Sequence, residues 1–265
     1  MRSQSSKDDI HQRFGAHAGA YATSRVHAEG ASLSRLVDVV RPRADWHVLD
    51  VATGAGHTAL AFAPHVADVI ATDITPQMLA QTQSLADARG AANVRTQLAD
   101  AEALPFEDGV FHLVTCRIAP HHFGNVALFV REAARVLRQG GTFAVVDNIV
   151  PDDDAVALWI DDFERIRDHT HHRCLSIKAW TMLCQAAGLT VAHTETVPKI
   201  MNLREWSRRM ETPASTVDRL RAMLLDAPGP AKRWLQPTSL HDDVSFTLWE
   251  GIVVATADHE KEGQG

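Results

Sequence analysis

Three carboxylates stand where short apolar runs meet polar turns: Asp50 in VLDVATGAGHTA, Asp73 in VIATDIT and Asp100 in QLADAEALPF. A carboxylate at such a place can accept hydrogen bonds from the hydroxyls or amines of a ligand. After Asp50 come Thr53, Gly54, Ala55 and Gly56. Glycines there let the backbone turn tightly and approach a ligand with no side chain between them. Two glycines alone fit an ordinary strand–helix turn equally well. Asp73 follows Gly56 by 17 residues (73 minus 56), close to the spacing of about 20 expected of a ribose-binding carboxylate. Asp100, with Ala101 beside it, is placed to meet an adenine edge.

The histidines form two groups. His121 and His122 lie in CRIAPHHF, and His169, His171 and His172 lie in DHTHHR. His171 has the chemistry of a general base, and Arg173 can clamp an anion with two parallel hydrogen bonds. His121 and His122 are candidates for the same catalytic work. Packing or a hydrogen-bonded loop accounts for either group without catalysis. A metal is not expected, because adjacent residues rarely converge on one ion and no HxxxH spacing occurs. Asp147 and Asn148 end a fifth apolar run and either touch substrate or cap the next segment. Of Trp159, Trp180 and Trp206, most are expected in a core, and one or two on the wall of an apolar pocket.

The elements that must position these groups alternate. Apolar runs at 47–51, 69–73, 94–98, 111–116 and 142–147 are separated by segments of helical spacing at 57–64, 76–89 and 126–137. Alternation of this kind predicts parallel strands in a doubly wound α/β sheet. Thr75 and Pro76 open one helix as cap and first turn, Gly90 follows its end, and Gln139–Gly140–Gly141 stops the next. Beyond 150 the pattern changes: helices are expected at 155–168 and 176–187, a strand at 190–197, helical pieces over 202–235 and a last strand at 245–255. The whole reads as a single domain over 1–265. Residues 31–150 form the ligand-binding core, and 151–175 with 198–240 form a helical lid around a seven-stranded, Rossmann-like sheet.

Composition excludes several classes. With 26 Lys+Arg against 33 Asp+Glu the formal charge is −7, and no basic run exists to grip phosphates, so nucleic acid is not expected as a partner. Three cysteines, Cys116, Cys174 and Cys184, lack CxxC spacing, which argues against a disulfide framework. Neither a signal peptide nor a window of about 18 apolar residues is visible, so a cytoplasmic protein with no membrane partner is expected. A homodimer is compatible with the sequence.

An acid four residues before Gly54 suits a sulfonium or ammonium cation better than a pyrophosphate, which favours S-adenosylmethionine over NAD. The blocks DVATGAG, ATDITPQML, ADAEALPF and RVLRQGG, in that order over roughly residues 12–150, resemble the class I methyltransferases, nearest to the ubiquinone/menaquinone C-methyltransferase branch. The resemblance implies that Asp50, Thr53, Gly54 and Gly56 surround the methionine part. It implies that Asp73 binds the ribose with Ile74 against the adenine, and that Asp100 and Ala101 meet the adenine. Cys116 and Arg117 would border the methionine tail. FGAHAGAY, ending in Tyr21, resembles the opening helix that folds over the cofactor, here within 1–30. Where the family often carries glycine two residues after the first acid, this chain has Ala52. Asp168, His171 and Arg173 match a D-x-x-H-x-R signature of part of the branch. The implied activity is methylation of a small molecule. Three other readings share the fold: an S-adenosylmethionine-binding enzyme of different chemistry, a noncatalytic cofactor-binding or scaffolding protein, and an NAD-dependent oxidoreductase. The latter would lack a YxxxK pair, since Tyr21 is the one tyrosine.

Overall fold

The computed structural model describes Lys7, Asp9, His11, residues 13–15 and residues 30–257. Its centre is one sheet of eight strands. Strands β1 (His47–Val51), β2 (Asp68–Asp73), β3 (Val94–Leu98), β4 (Phe111–Arg117) and β5 (Leu137–Ile149) run parallel. Strand β8 (Asp243–Ala257) pairs antiparallel with β5 and carries β6 (Leu189–Asn202) on its other side, while the short β7 (Thr238–Leu240) pairs with β8. The order is β3-β2-β1-β4-β5-β8-β6. All seven expected strands are present, and β7 is an addition too short and too exposed to show in the periodicity.

Helices cover both faces because the central strands are apolar on both. Val48, Val69, Ala71 and Val146 meet α1 (Ala31–Val40), α2 (His57–Phe62) and α3 (Pro76–Ala88) in one core. Their chain neighbours Leu49 and Val145 point the other way, to α4 (Val126–Val136) and α6 (Ile177–Ala186). Period-two alternation thus feeds two cores at once. On α4, Phe129, Val130, Ala133 and Val136 form the buried stripe, and Asn125 caps the helix by accepting from the Leu128 amide at 3.0 Å. Thr75 precedes α3 but its side chain makes no capping bond; its amide instead donates to Asp73 Oδ1 at 2.8 Å.

Two boundaries differ from expectation. The Gln139–Gly140–Gly141 stop lies inside β5, at a register shift between Phe111↔Leu137 and Leu113↔Thr142. A Cβ at Gly141 would stand 2.7 Å from the Arg138 carbonyl oxygen, so the irregularity needs glycine. Strand β6 runs on through Pro198 to Asn202, because it is an edge strand whose proline needs no ladder donor.

A third core lies beyond the sheet. Helices α5 (Asp154–Arg167), α7 (Leu203–Arg208), α8 (Ala214–Leu225) and α9 (Gly229–Leu235) pack Phe163, Trp206, Leu220 and Leu235 against Phe246 and Leu248 of β8. The segments expected to form a lid, 151–175 and 198–240, hold α5 and α7–α9, which pack together in this third core, and α6 packs on the sheet. Among the described residues no helix is long and apolar enough to cross a membrane.

Candidate active site

Strand order reverses at β1, whose neighbours are β2 and β4. The crevice beyond the strand ends at such a switch point is where this kind of sheet binds ligands. Asp50 lies beneath the loop that floors it. It is 1% exposed. Its Oδ2 accepts from the Thr53 hydroxyl at 2.6 Å and the Ala59 amide at 3.2 Å, and its Oδ1 from the Thr115 hydroxyl at 2.7 Å. Burial raises its pKa to about 6, against the pull of these hydrogen bonds. Asp50 is thus not on the crevice wall and acts on it through Thr53.

The loop itself is left-handed at three places: Ala52 (φ 51°), Gly54 (φ 56°) and Gly56 (φ 87°). Gly56 is buried, and a Cβ there would stand 2.7 Å from Thr82 Cγ2, so this glycine serves packing. At Gly54 a Cβ would meet no protein atom within 4 Å. Its side-chain position faces a cavity of about 140 Å³, on whose wall Thr53, Gly54, Asp73, Ile74, Asp100 and Ala101 come together. Arg117 joins them, donating from Nε to Thr58 Oγ1 at 3.1 Å. Cys116 does not. Strand alternation turns it into the core opposite, fully buried, where burial keeps its thiol protonated.

Asp73 accepts from the Gly54 amide at 2.9 Å and the Thr75 amide at 2.8 Å, so the carboxylate is fixed with lone pairs left over. Asp100 accepts from Lys7 Nζ at 2.5 Å, and the same ammonium reaches Glu102 at 3.1 Å. Lys7 and Phe14 bring N-terminal helical residues onto the cavity wall. Tyr21 lies outside the described residues.

A second cavity of about 80 Å³ adjoins the first, and Phe14, Ile118 and His122 line both. Ile118 has φ 54°, a left-handed conformation that is a true outlier for a β-branched residue. His122 Nδ1 lies 3.0 Å from the Thr170 carbonyl and 3.1 Å from the Thr170 hydroxyl. That hydroxyl donates to Asp168 Oδ1 at 2.6 Å. Burial pulls the His122 pKa down to about 3. Burial also pushes on Asp168, but His122, the Thr170 hydroxyl and Arg167 outweigh it and hold Asp168 at about 2.

The other expected residues separate. His121 lines the second cavity, with Nδ1 2.6 Å from Asp147 Oδ1. Asp147 itself is 2% exposed and reaches neither cavity, so its expected contact with substrate is replaced by a buried bond to His121. Burial raises Asp147 to about 7 and lowers His121 to about 3. Asn148 does line the second cavity, and its Oδ1 is buried without a partner among the described residues. His171 is turned away from both cavities: its side chain is 1% exposed and its Nε2 lies 2.8 Å from Asp161 Oδ1, which also accepts from the Cys174 amide at 2.9 Å. Arg173 is exposed and lines neither cavity. The DHTHHR segment is closed by bonds from the His172 and Arg173 amides to the His121 carbonyl. Of its expected trio, only Asp168 reaches a cavity wall.

A doubly wound sheet with a left-handed loop and acids at its switch point defines a Rossmann-like fold with a ligand crevice. Comparison with known proteins narrows this. Residues 49–145 match the methyltransferase domain family. The chain is 39% identical over 201 residues to the uncharacterized methyltransferase YcgJ of Bacillus subtilis, covering 76% of this chain and 79% of that one. The crystal structure of the Bacillus subtilis YcgJ protein matches with TM-score 0.82 and 34% identity over 86% of this chain and 98% of that chain. The demethylmenaquinone methyltransferase of Thermus thermophilus is 37% identical over 140 residues, 51% of this chain and 63% of that one. The chain belongs to the methyltransferase domain family and has the class I fold.

Proposed function

We propose that the protein transfers the methyl group of S-adenosylmethionine to a small molecule seated in the second cavity. The observation that carries this reading is the shared wall: Phe14, Ile118 and His122 border both cavities, so two ligands would meet there. The first cavity fits the cofactor. The unfilled space at Gly54 admits a ligand against the backbone, Asp73 offers fixed acceptors to a ribose diol, and Ile74 and Ala101 offer an apolar slot at a base. Asp100 would take the adenine edge, exchanging Lys7 for it. When bound, S-adenosylmethionine supplies a methyl group on a cationic sulfur, already activated for in-line displacement.

The protein's own part is positioning and proton handling. A carbonyl only accepts, so the short contact with Thr170 O fixes the His122 proton on Nδ1 and leaves a lone pair on Nε2. Burial keeps the resting His122 neutral and able to accept, and Asp168, through the Thr170 hydroxyl, offsets part of that burial penalty when His122 takes a proton from an O–H, N–H or S–H acceptor. Thr53, held by Asp50, and Arg117, held by Thr58, keep the loop and the β4 end in place around the methionine part.

Calorimetry with S-adenosylhomocysteine, with NAD as control, tests the cofactor. Micromolar binding of the first and none of the second is expected; the reverse would overturn the reading.

A further inference from the structure

The second cavity has a chemical bias that its position alone does not explain. Trp206, Met201, Met210 and Leu248 make it apolar, yet Arg167, Lys199 and Arg209 also line it. Arg167 lies over the Trp206 ring, with Cζ 4.1 Å from the centroid. Its guanidinium makes one long bond to the protein, Nη1 to the Trp206 carbonyl at 3.5 Å, and its buried Nε has no partner among the described residues. A guanidinium that is held over a ring, oriented and short of acceptors is a ready fork for an oxyanion. Asn148 Oδ1, buried on the same wall and also without a partner among the described residues, is an acceptor for an O–H or N–H elsewhere on the ligand, not for its carboxylate.

The surrounding charges set the valence. Lys199 is paired with Glu250 at 2.6 Å, and Asp168 lines the cavity with Oδ1 already taken by Thr170. That leaves the Arg167 guanidinium facing the cavity with Asp168 as the carboxylate beside it. Glu164, buried on the same helix as Arg167, has its Oε1 without a hydrogen-bond partner among the described residues and is not on the cavity wall. A monoanion matches the single guanidinium, and a dianion would crowd Asp168.

Resting on the methyl-transfer reading, we propose that the acceptor is a small organic acid. Its carboxylate is received by the Arg167 fork, its apolar body packs on Trp206 and the methionines, and its nucleophilic atom reaches the Ile118–His122 junction.

The test uses protein first shown to bind S-adenosylhomocysteine, so failure at that step sinks the methyl-transfer reading separately. The loaded protein is then titrated calorimetrically with phenylacetate, phenylpropionate and phenylbutyrate, with their primary amides, and with phenylpropyl phosphate. At least one acid is expected to bind about tenfold or more tighter than its amide, and tighter than the phosphate. Arg167→Gln should abolish that preference, and Arg167→Lys, which keeps the charge but not the fork, should retain part of it. The proposal is overturned if no acid binds at millimolar concentration, if amides bind as well as acids, or if the phosphate binds best. Survival of the preference in Arg167→Gln also overturns it. Should that variant fail to fold, an unchanged acid-to-amide ratio in Arg167→Lys does the same.

Discussion

His122 Nδ1 stands 3.0 Å from the carbonyl oxygen of Thr170, 48 residues further along the chain. That contact fixes the tautomer of His122, which among the described residues is the histidine bordering both cavities. His122→Gln is expected to lower turnover about 10²–10⁴-fold on an acceptor whose nucleophile must lose a proton. Affinity for S-adenosylhomocysteine should stay within twofold of wild type, roughly the scatter expected of a residue with no bond to the cofactor. Initial rates and calorimetry on the same preparations check both halves, and unchanged turnover removes His122 from the mechanism.

Asp73 offers the fixed carboxylate of the first cavity. Asp73→Ala should weaken S-adenosylhomocysteine binding by about 1.5–3 kcal/mol, the range of hydrogen bonds to a charged group. Equal affinities would show that the ribose lies elsewhere.

Ala52 occupies a left-handed conformation (φ 51°) at the start of the loop. Left-handed backbone costs a residue with a Cβ about 1–2 kcal/mol, part of which glycine gives back as unfolded-state freedom. Ala52→Gly is therefore expected to stabilise the protein by about 0.5–1 kcal/mol in urea unfolding. A loss of stability would mean that the Ala52 methyl contributes more by packing than its backbone costs.

Asp147 carries a pKa raised to about 7 by burial beside His121. A raised carboxyl pKa means that the folded state holds its proton more tightly. The associated stability is fully present below the unfolded value near 4 and is lost as pH climbs through 7. Asp147→Asn can donate to His121 in the same geometry without titrating. The variant should gain about 2–4 kcal/mol relative to wild type between pH 4 and pH 8. Denaturant unfolding at both pH values checks this, and a constant difference would mean that Asp147 stays ionised.

Much of the first cavity was legible from the residues themselves. Asp50, Gly54, Asp73 and Asp100 fall at strand ends, and a strand end in a parallel sheet is local information carried by apolar runs and turn residues. Even so, Asp50 and Cys116 needed the fold to be placed. One step of strand alternation sends a side chain into the crevice or into the core, and the buried hydroxyls of Thr53 and Thr115 claim Asp50 before any ligand can.

The second cavity was hidden for a different reason. Its walls come from the segment after β4 and from β5, α5, β6, α7 and β8, with Ile118 and Leu248 standing 130 residues apart (248 minus 118), and no periodicity links them. The DHTHHR segment shows the limit most clearly. Residue type marked His171 and Arg173 for chemistry, but Asp161 holds the first in a buried pair and the second faces water. Meanwhile Thr170, which carries no motif, orients His122. The sequence by itself determined the sheet, the loop and the acids that face a nucleoside, because short-range pattern dictates strands and turns. Only the tertiary structure decided which histidine meets both cavities and which arginine is left with open donors, because those are outcomes of long-range competition for hydrogen-bond partners.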